Sequence, residues 1–281
     1  MELPLHQIDA FTHRLFSGNP AAVMPLPHWL PDTVLRALAD ENHCAETAFY
    51  VDALPPDAGT PPTGLPAYHL RWFTPLVEVD LCGHATLAAA AQVLADVHVN
   101  APAVAFFSRS GWLTARRAGP GEIAIDLPAS LPEPGESDPA ARKALGLADE
   151  SILSRLVARD QIYVLSSPAA VAAVEPDLPA LSRLAVRGVI VTAAGGPEST
   201  DFVSRFFGGQ VGGGEDPVTG SAHAQLAPYW AAVFGRETLR ARQLSARGGD
   251  LTCTVHAERV DIVGAYRRYS RGIVTLGEDI A

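Results

Sequence analysis

The 281-residue sequence predicts an α+β fold built from two similar halves. Three observations point to it. Strand-like runs outnumber helical ones, which argues against a doubly wound parallel sheet. A set of landmarks appears twice in the same order, which a duplicated unit explains most simply. Two of the clearest helices each begin on a small residue followed by glycine, at CGHAT and at TGSAH.

The strands are read from runs of β-branched and aromatic residues bounded by turn formers. In chain order they are LHQIDAF, AETAFYV, YHLRWFT, VAFFS, EIAIDL, QIYVLSS, GVIVTAA, DFVSRFF, LTCTVHA and RVDIVGAY. Helical apolar spacing marks PDTVLRALADE, GHATLAAAAQVLADV and GSAHAQLAPYWAAVFG. DPAARKALGL reads as a short surface helix, with Asp138 as cap, Pro139 in its first turn and Gly146 at its end. Pro55–Pro66, PPDAGTPPTGLP, reads as a surface loop.

The repeat runs as follows. NPAAVMPLP, a helix, a strand, LRWF and CGHATLAAA occur in the first half. SPAAVAAVEPDLPALSRL, GVIVTAA, VSRFF and TGSAHAQLA occur in the second. Pro20 is matched with Pro168, Arg71-Trp72-Phe73 with Arg205-Phe206-Phe207, and Gly83-His84 with Gly220-Ser221. The Pro/Gly-rich tracts ARRAGPGE and LPASLPEPGESDP are where the halves would divide. The expected halves are 1–117, with 266–281 returning to it, and 118–265.

Composition narrows the function. The formal net charge is -10 and no basic stripe occurs, which argues against nucleic acid as a partner. Lys143 is the only lysine and lies on the short surface helix, which argues against a Schiff-base cofactor. Cys44, Cys82 and Cys253 are too scattered for a disulfide framework and share no metal-ligand spacing with the nine histidines. The N-terminus mixes charge and polarity unlike a signal peptide. ATLAAAAQVLADVHV is too short and too interrupted to span a membrane. A soluble, cytoplasmic protein is expected. The glycine run of GGGEDPVTGSAH lacks a GK[ST] ending and does not fit G-x-G-x-x-G, so it is not a nucleotide loop.

The chemistry is expected at the two glycine-led helix starts. Unpaired amides and the helix dipole favour a carboxylate there, and two such ends in a pseudo-twofold pair of halves would flank one cleft. Glu46 opens an apolar strand directly after a turn, and the matching stretch RGVIVTAA has no acid. A lone carboxylate suits a one-base proton shuttle. His84 is expected to be neutral at its helix start. Asp216 reads either as a helix cap or as a second carboxylate that orients substrate, held out of the helix by Pro217. Glu78 and Glu215 read as charges favoured near a helix start. His223 is poorly placed to serve Ser221, since residues two apart on a helix face different ways, and is read as a core-packing residue or a polar surface contact. Cys82 is matched by Thr219, so no thiol pair exists for symmetric two-base racemisation. Cys44 and Cys253 read as buried small hydrophobes.

At these residues the chain resembles the PhzF-like proteins, named for a phenazine-biosynthesis isomerase. The resemblance runs through QIDAFTHRLFSGNPAAV, AETAFYV, LRWFTPLVEVDLCGHATLAAA, GEDPVTGSAHAQLAPYW and ARQLSARGGDLTCTV, almost the whole chain. It implies the diaminopimelate epimerase-like fold: two halves related by a pseudo-twofold axis, each a curved, mostly antiparallel sheet around a central helix. It implies a cofactor-independent isomerase, commonly a homodimer, with no metal. Glu46, His84 and Asp216 are implied as the catalytic groups. Gly83, Gly220, Ser221 and Asn19 are implied to bind a small carboxylate-bearing, cyclic or unsaturated substrate. Two departures, NHCAET ahead of Glu46 and GGQVGG ahead of GEDP, fall beside the expected cleft and leave the substrate open. An amino-acid racemase or epimerase, and a non-catalytic binding protein of the same fold, are the alternative readings.

Overall fold

A computed structural model describes residues 1–136, 138–196, 200–209 and 214–277 of the chain. The glycine-rich stretch singled out ahead of Glu215 lies, over residues 210–213, outside them. The chain forms two compact units, Met1–Asp126 with Val263–Ala281, and Leu127–Ile262.

In the first unit β1 (Glu2–Ala10) pairs antiparallel with β2 (Asn19–Pro25), and α1 (Asp32–Glu41) then leads to β3 (Glu46–Val51), which lies parallel to β2. Antiparallel β4 (Ala67–Phe73) follows, and the short β5 (Glu78–Val79) folds back on it. Next comes α2 (Gly83–Gln92), ending in a π-helical turn at Val93–Val97, and β6 (Ala103–Ser108) returns parallel to β4. β7 (Gly111–Gly119) and β8 (Glu122–Pro128) complete a meander, its hairpin turned through Gly121 at φ 73°.

Alternation along β3 sorts its side chains between two helices. Glu46, Ala48 and Tyr50 point toward α2, where the Tyr50 hydroxyl donates to Gln92 Oε1 at 2.6 Å. Phe49 and Val51 point toward α1 and join Leu35, Leu38 and Phe73 in a closed apolar cluster. All ten residues of α2 are buried. A helix enclosed on every side cannot keep a polar face, and GHATLAAAAQ meets that demand with small side chains that let the sheet wrap closely.

In the second unit, β9 (Glu133–Pro134) and α3 (Pro139–Ala144) precede the antiparallel pair β10 (Ile152–Val157) and β11 (Gln161–Leu165). Short helices α4 (Pro168–Ala172) and α5 (Leu178–Leu181) lead to β12 (Gly188–Ala194), parallel to β11. Then follow antiparallel β13 (Phe202–Gly208), short β14 (Glu215–Asp216), the helix α6 (Gly220–Phe234), buried from Gly220 to Pro228 and exposed in its last turn, β15 (Thr238–Gln243) parallel to β13, and antiparallel β16 (Gly249–His256). Strand β17 (Arg259–Thr275) ends in the first unit, where Tyr266 to Thr275 pair with Ala10 to Glu2. Lys143 is exposed on α3, whose Asp138 cap accepts from the Ala140 amide at 2.8 Å. No helix of the described residues is long and apolar enough to cross a membrane.

The two units thus carry one succession: a parallel strand pair bridged by helix, two antiparallel strands, a buried helix and a further hairpin. One sequence landmark fails. Pro20 lies inside β2, whereas Pro168 is the first residue of α4, so the two are not counterparts. Proline's fixed φ suits an extended strand and a helix's first turn alike, so PAAV matched in both contexts. The true counterpart of β2 is β11, and α4 with α5 replaces α1.

The Arg-x-Phe landmark, by contrast, marks a shared device. Arg71 forks onto Glu78 at 2.8 and 2.7 Å and stacks 4.9 Å over Phe73. Arg205 forks onto Glu215 at 2.6 and 3.0 Å and stacks 4.9 Å over Phe207. Glu78 and Glu215 therefore serve these arginines rather than a helix start. Arg205 also donates to the carbonyls of Ala172 and Val174 at 3.3 and 2.6 Å, which satisfies the end of α4. Pro228, inside α6, cannot donate to the Ala224 carbonyl; the Ser130 amide does so instead, at 3.2 Å.

Replacing Arg205 by Met should lower the unfolding free energy by about 3 kcal/mol, because Glu215 and the α4 carbonyls lose their donor together. Replacing Arg242, which lies 3.7 Å from Asp250 at the surface, should cost under about 1 kcal/mol. Urea unfolding of the two variants checks the contrast.

Candidate active site

Parallel pairing sets the starts of β2 and β3 side by side, and α2 begins at the same end of the sheet. Four side chains converge there. The Asn19 amide lies 3.1 Å from His84 Nδ1, and Glu46 Oε2 lies 3.4 Å from His84 Nε2. Cys82, the residue before α2, places its sulfur 3.5 Å from Nδ1.

This geometry specifies the state of His84. The ring is buried, and burial lowers its pKa to about 3, so the imidazole is neutral. Glu46 does not reverse this, since its contact with Nε2 lacks hydrogen-bond geometry. With the Asn19 amide donating to Nδ1, the single ring proton sits on Nε2, on the side of Glu46. Glu46, Cys82 and His84 lie close enough together to suggest a metal set. An ion on Nδ1 would have to displace the Asn19 amide, and one on Nε2 would turn away from the thiol.

The register shows which residue of the second unit is the counterpart of Glu46. Arg71 pairs with Phe49 and Arg205 with Val191. Counting three residues back from each partner matches Glu46 with Gly188. A Cβ at Gly188 would come 2.2 Å from Phe206 Cζ. An aromatic ring fills the space where the first unit holds its carboxylate.

Around the start of α6 the groups differ. Thr219 donates its hydroxyl to Asp216 Oδ2, and Gln243 fastens the turn, accepting from the Thr219 amide at 2.9 Å and donating to the Asp216 carbonyl at 2.7 Å. Thr219 is the residue before the helix, so Asp216 is not its cap. Ser221 accepts from Arg187 Nη1 at 3.2 Å. Arg187 in turn forks onto Asp160, whose carboxylate is fully buried and also accepts from Gln225 at 2.6 Å. His223 is a satisfied core residue. Its Nδ1 donates to the Thr219 carbonyl at 2.8 Å, and burial lowers its pKa to about 4. Cys44 and Cys253 are buried.

The sequence-predicted residues thus fall into two groups. Glu46, His84, Asn19 and Gly83 gather in the first unit, and Asp216, Gly220 and Ser221 gather in the second. Gln243, Arg187, Asp160 and Gln225 were not singled out from the sequence. Gln243, Gln225 and Arg187 lay in quoted stretches, ARQLSARGG, GSAHAQLA and RGVIVTAA, but nothing in their spacing tied them to their partners.

Residues 8–266 match the family of phenazine biosynthesis-like proteins, PhzC-PhzF. The chain belongs to the PhzF-like family of isomerases. An uncharacterised isomerase of Pseudomonas aeruginosa is 46% identical over 276 residues, 98% of this chain and 100% of the relative. The crystal structure of a PhzF-family protein from Enterococcus faecalis has a TM-score of 0.85 at 42% identity, covering 98% of this chain and 100% of that one. A hydroxyproline epimerase from Agrobacterium vitis, solved with trans-4-hydroxy-L-proline bound, shares the fold at 14% identity. Its TM-score is 0.61, over 97% of this chain and 92% of its own.

Both buried histidines bind protons less readily in the folded protein than in the unfolded chain. Their stabilising share is complete above about pH 6.5 and is lost as the pH falls toward their folded values. Replacing His223 by Gln should remove about 2 kcal/mol of the stability the protein loses between pH 7 and pH 5. Urea unfolding at the two pH values reads this difference.

Proposed function

We propose that this isomerase moves a proton on a small carboxylate-bearing metabolite, cyclic or unsaturated, with Glu46 as the single acid/base and without a cofactor. The observation that supports this most directly is the asymmetry at the strand starts. Glu46 faces the Nε2 side of a neutral His84, and its counterpart is Gly188 beneath a phenyl ring.

A carboxylate removes a proton from carbon only when the resulting electron pair is delocalised, here into the conjugated system of the substrate. Glu46 takes the proton and redelivers it to a second carbon on the same face. His84 Nε2–H donates to the charge that develops, and as a neutral donor it does so without first losing a proton. Asn19 holds the ring in that tautomer. Asp216 is assigned to an amino or hydroxyl substituent, and Gly83, Gly220 and Ser221 to the carboxylate. The bound hydroxyproline of the distant epimerase is a cyclic carboxylate, which agrees with the substrate class. The family resemblance also leads us to propose a homodimer and a cytoplasmic location.

The racemase or epimerase reading needs a second base on the opposite face of the carbon. The counterpart of Cys82 is Thr219, whose hydroxyl is already given to Asp216. The two helix starts therefore carry different chemistry, which favours the one-base shuttle.

In D2O, the intact protein should introduce deuterium into one carbon position of a cyclic dienyl acid or hydroxyproline-like acid from a screened panel. Glu46→Gln should slow that exchange by about 10²–10⁴-fold with the fold intact, and Cys82→Ser should leave it within a few-fold. Exchange that survives Glu46→Gln and is lost in Cys82→Ser would instead establish the thiol as the base.

A further inference from the structure

The Glu46–His84 site has a structural echo in the second unit. There too a parallel strand pair, β11 and β12, begins beside the start of a buried helix. The residues just ahead of the two strands are Asp160 and Arg187, and the helix contributes Ser221. The first unit presents a carboxylate at that end, and the second presents a guanidinium.

Arg187 is held on three sides. Its Nε donates to Asp160 Oδ1 at 2.9 Å, and its Nη2 donates to Asp160 Oδ2. The guanidinium carbon lies over the Phe206 ring, 5.4 Å from its centre. Its Nη1 reaches Ser221 Oγ at 3.2 Å. Asp160 is itself locked, because Gln225 donates to its carboxylate at 2.6 Å and accepts from its amide at 3.1 Å. A buried ion pair of this kind contributes little net stability after desolvation. What it does supply is orientation, since a forked arginine has little freedom left. The Asp160 carboxylate is fully buried while the Arg187 side chain stays 29% exposed. The acid is therefore the fixed anchor, and the cation is the group presented to solvent.

Of the five guanidinium donors, Asp160 holds two and Ser221 one among the described residues. We propose that Arg187 is a substrate-recognition residue that binds a carboxylate of the ligand beside Ser221, with Asp160 and Gln225 as its positioning residues. This rests on the reading that the start of α6 holds the substrate. It gives that end of the substrate a charge and a shape: a planar carboxylate, matched to a fork, next to the amides of the helix. The assignment stands on the side-chain pair, and the helix end adds to it.

The test is calorimetric titration with cyclohex-1-ene-1-carboxylate and with the corresponding carboxamide. The titrated proteins are the intact one, Glu46→Gln, Arg187→Lys, and the double variant Arg187→Gln with Asp160→Asn. The double variant removes both charges together and so leaves no buried anion. The intact protein should prefer the carboxylate to the carboxamide, and Glu46→Gln should keep that preference. In the double variant carboxylate affinity should fall at least tenfold with the carboxamide unaffected. Arg187→Lys, which keeps the charge and loses the fork, should show a smaller loss of the same kind and serves if the double variant does not fold. An intact protein with no preference for the carboxylate, or a preference that survives in the Arg187 variants, would overturn the assignment. The acid/base reading is separated by exchange in D2O. Glu46-dependent exchange with an unchanged carboxylate preference in the Arg187 variants removes only the role of Arg187. Lost preference with exchange surviving Glu46→Gln removes only the role of Glu46.

Discussion

The proposed chemistry depends on the enclosure of a helix start. Every residue of α2 is buried, His84 included, so the imidazole stands at the positive end of a helix with no water to stabilise a second proton. Enclosure dictates the sequence of the helix, half of which is alanine, and it dictates the histidine's charge. Asn19, brought alongside by the β2–β3 pairing, then decides which nitrogen carries the proton. A polar group in such a place is costly unless it has a partner, and the start of β2 supplies one to Nδ1 through Asn19.

Duplication explains the architecture, and divergence explains the function. The two units preserve what stabilises them: an arginine forked onto a glutamate, lying over a phenylalanine, with the helix behind. They differ where the strands begin. Glu46 is matched by Gly188, His84 by Ser221, and Cys82 by Thr219. Phe206 fills the space that a second carboxylate would need. A fold with two equivalent ends has kept a carboxylate at one and placed a guanidinium at the other. That difference agrees with the proposed reading, in which Glu46 alone moves the proton.

Much of this was legible in the chain. The small residue and glycine that open two helices were visible, Arg-x-Phe announced the repeat, and the Glu46 carboxylate stood out because its matching stretch had none. The Pro20–Pro168 match misled, because proline fits a strand and a helix's first turn equally. The roles of Glu78 and Glu215 were misread since their partners, Arg71 and Arg205, lie across a turn between strands. Arg187, Asp160 and Gln225 were hidden for a similar reason. Each is an ordinary residue of its segment, separated by tens of positions from its partners, and only the folded register brings them together.

The measurement that bears most directly on the account is the tautomer and charge of His84, read from nitrogen shifts and long-range proton–nitrogen couplings of ¹⁵N-histidine-labelled protein. The account predicts a neutral ring with its proton on Nε2 from pH 8 down to pH 5, with that pattern disturbed when Asn19 is replaced by Ala. An imidazolium already formed at pH 6, or a proton resident on Nδ1, would contradict it.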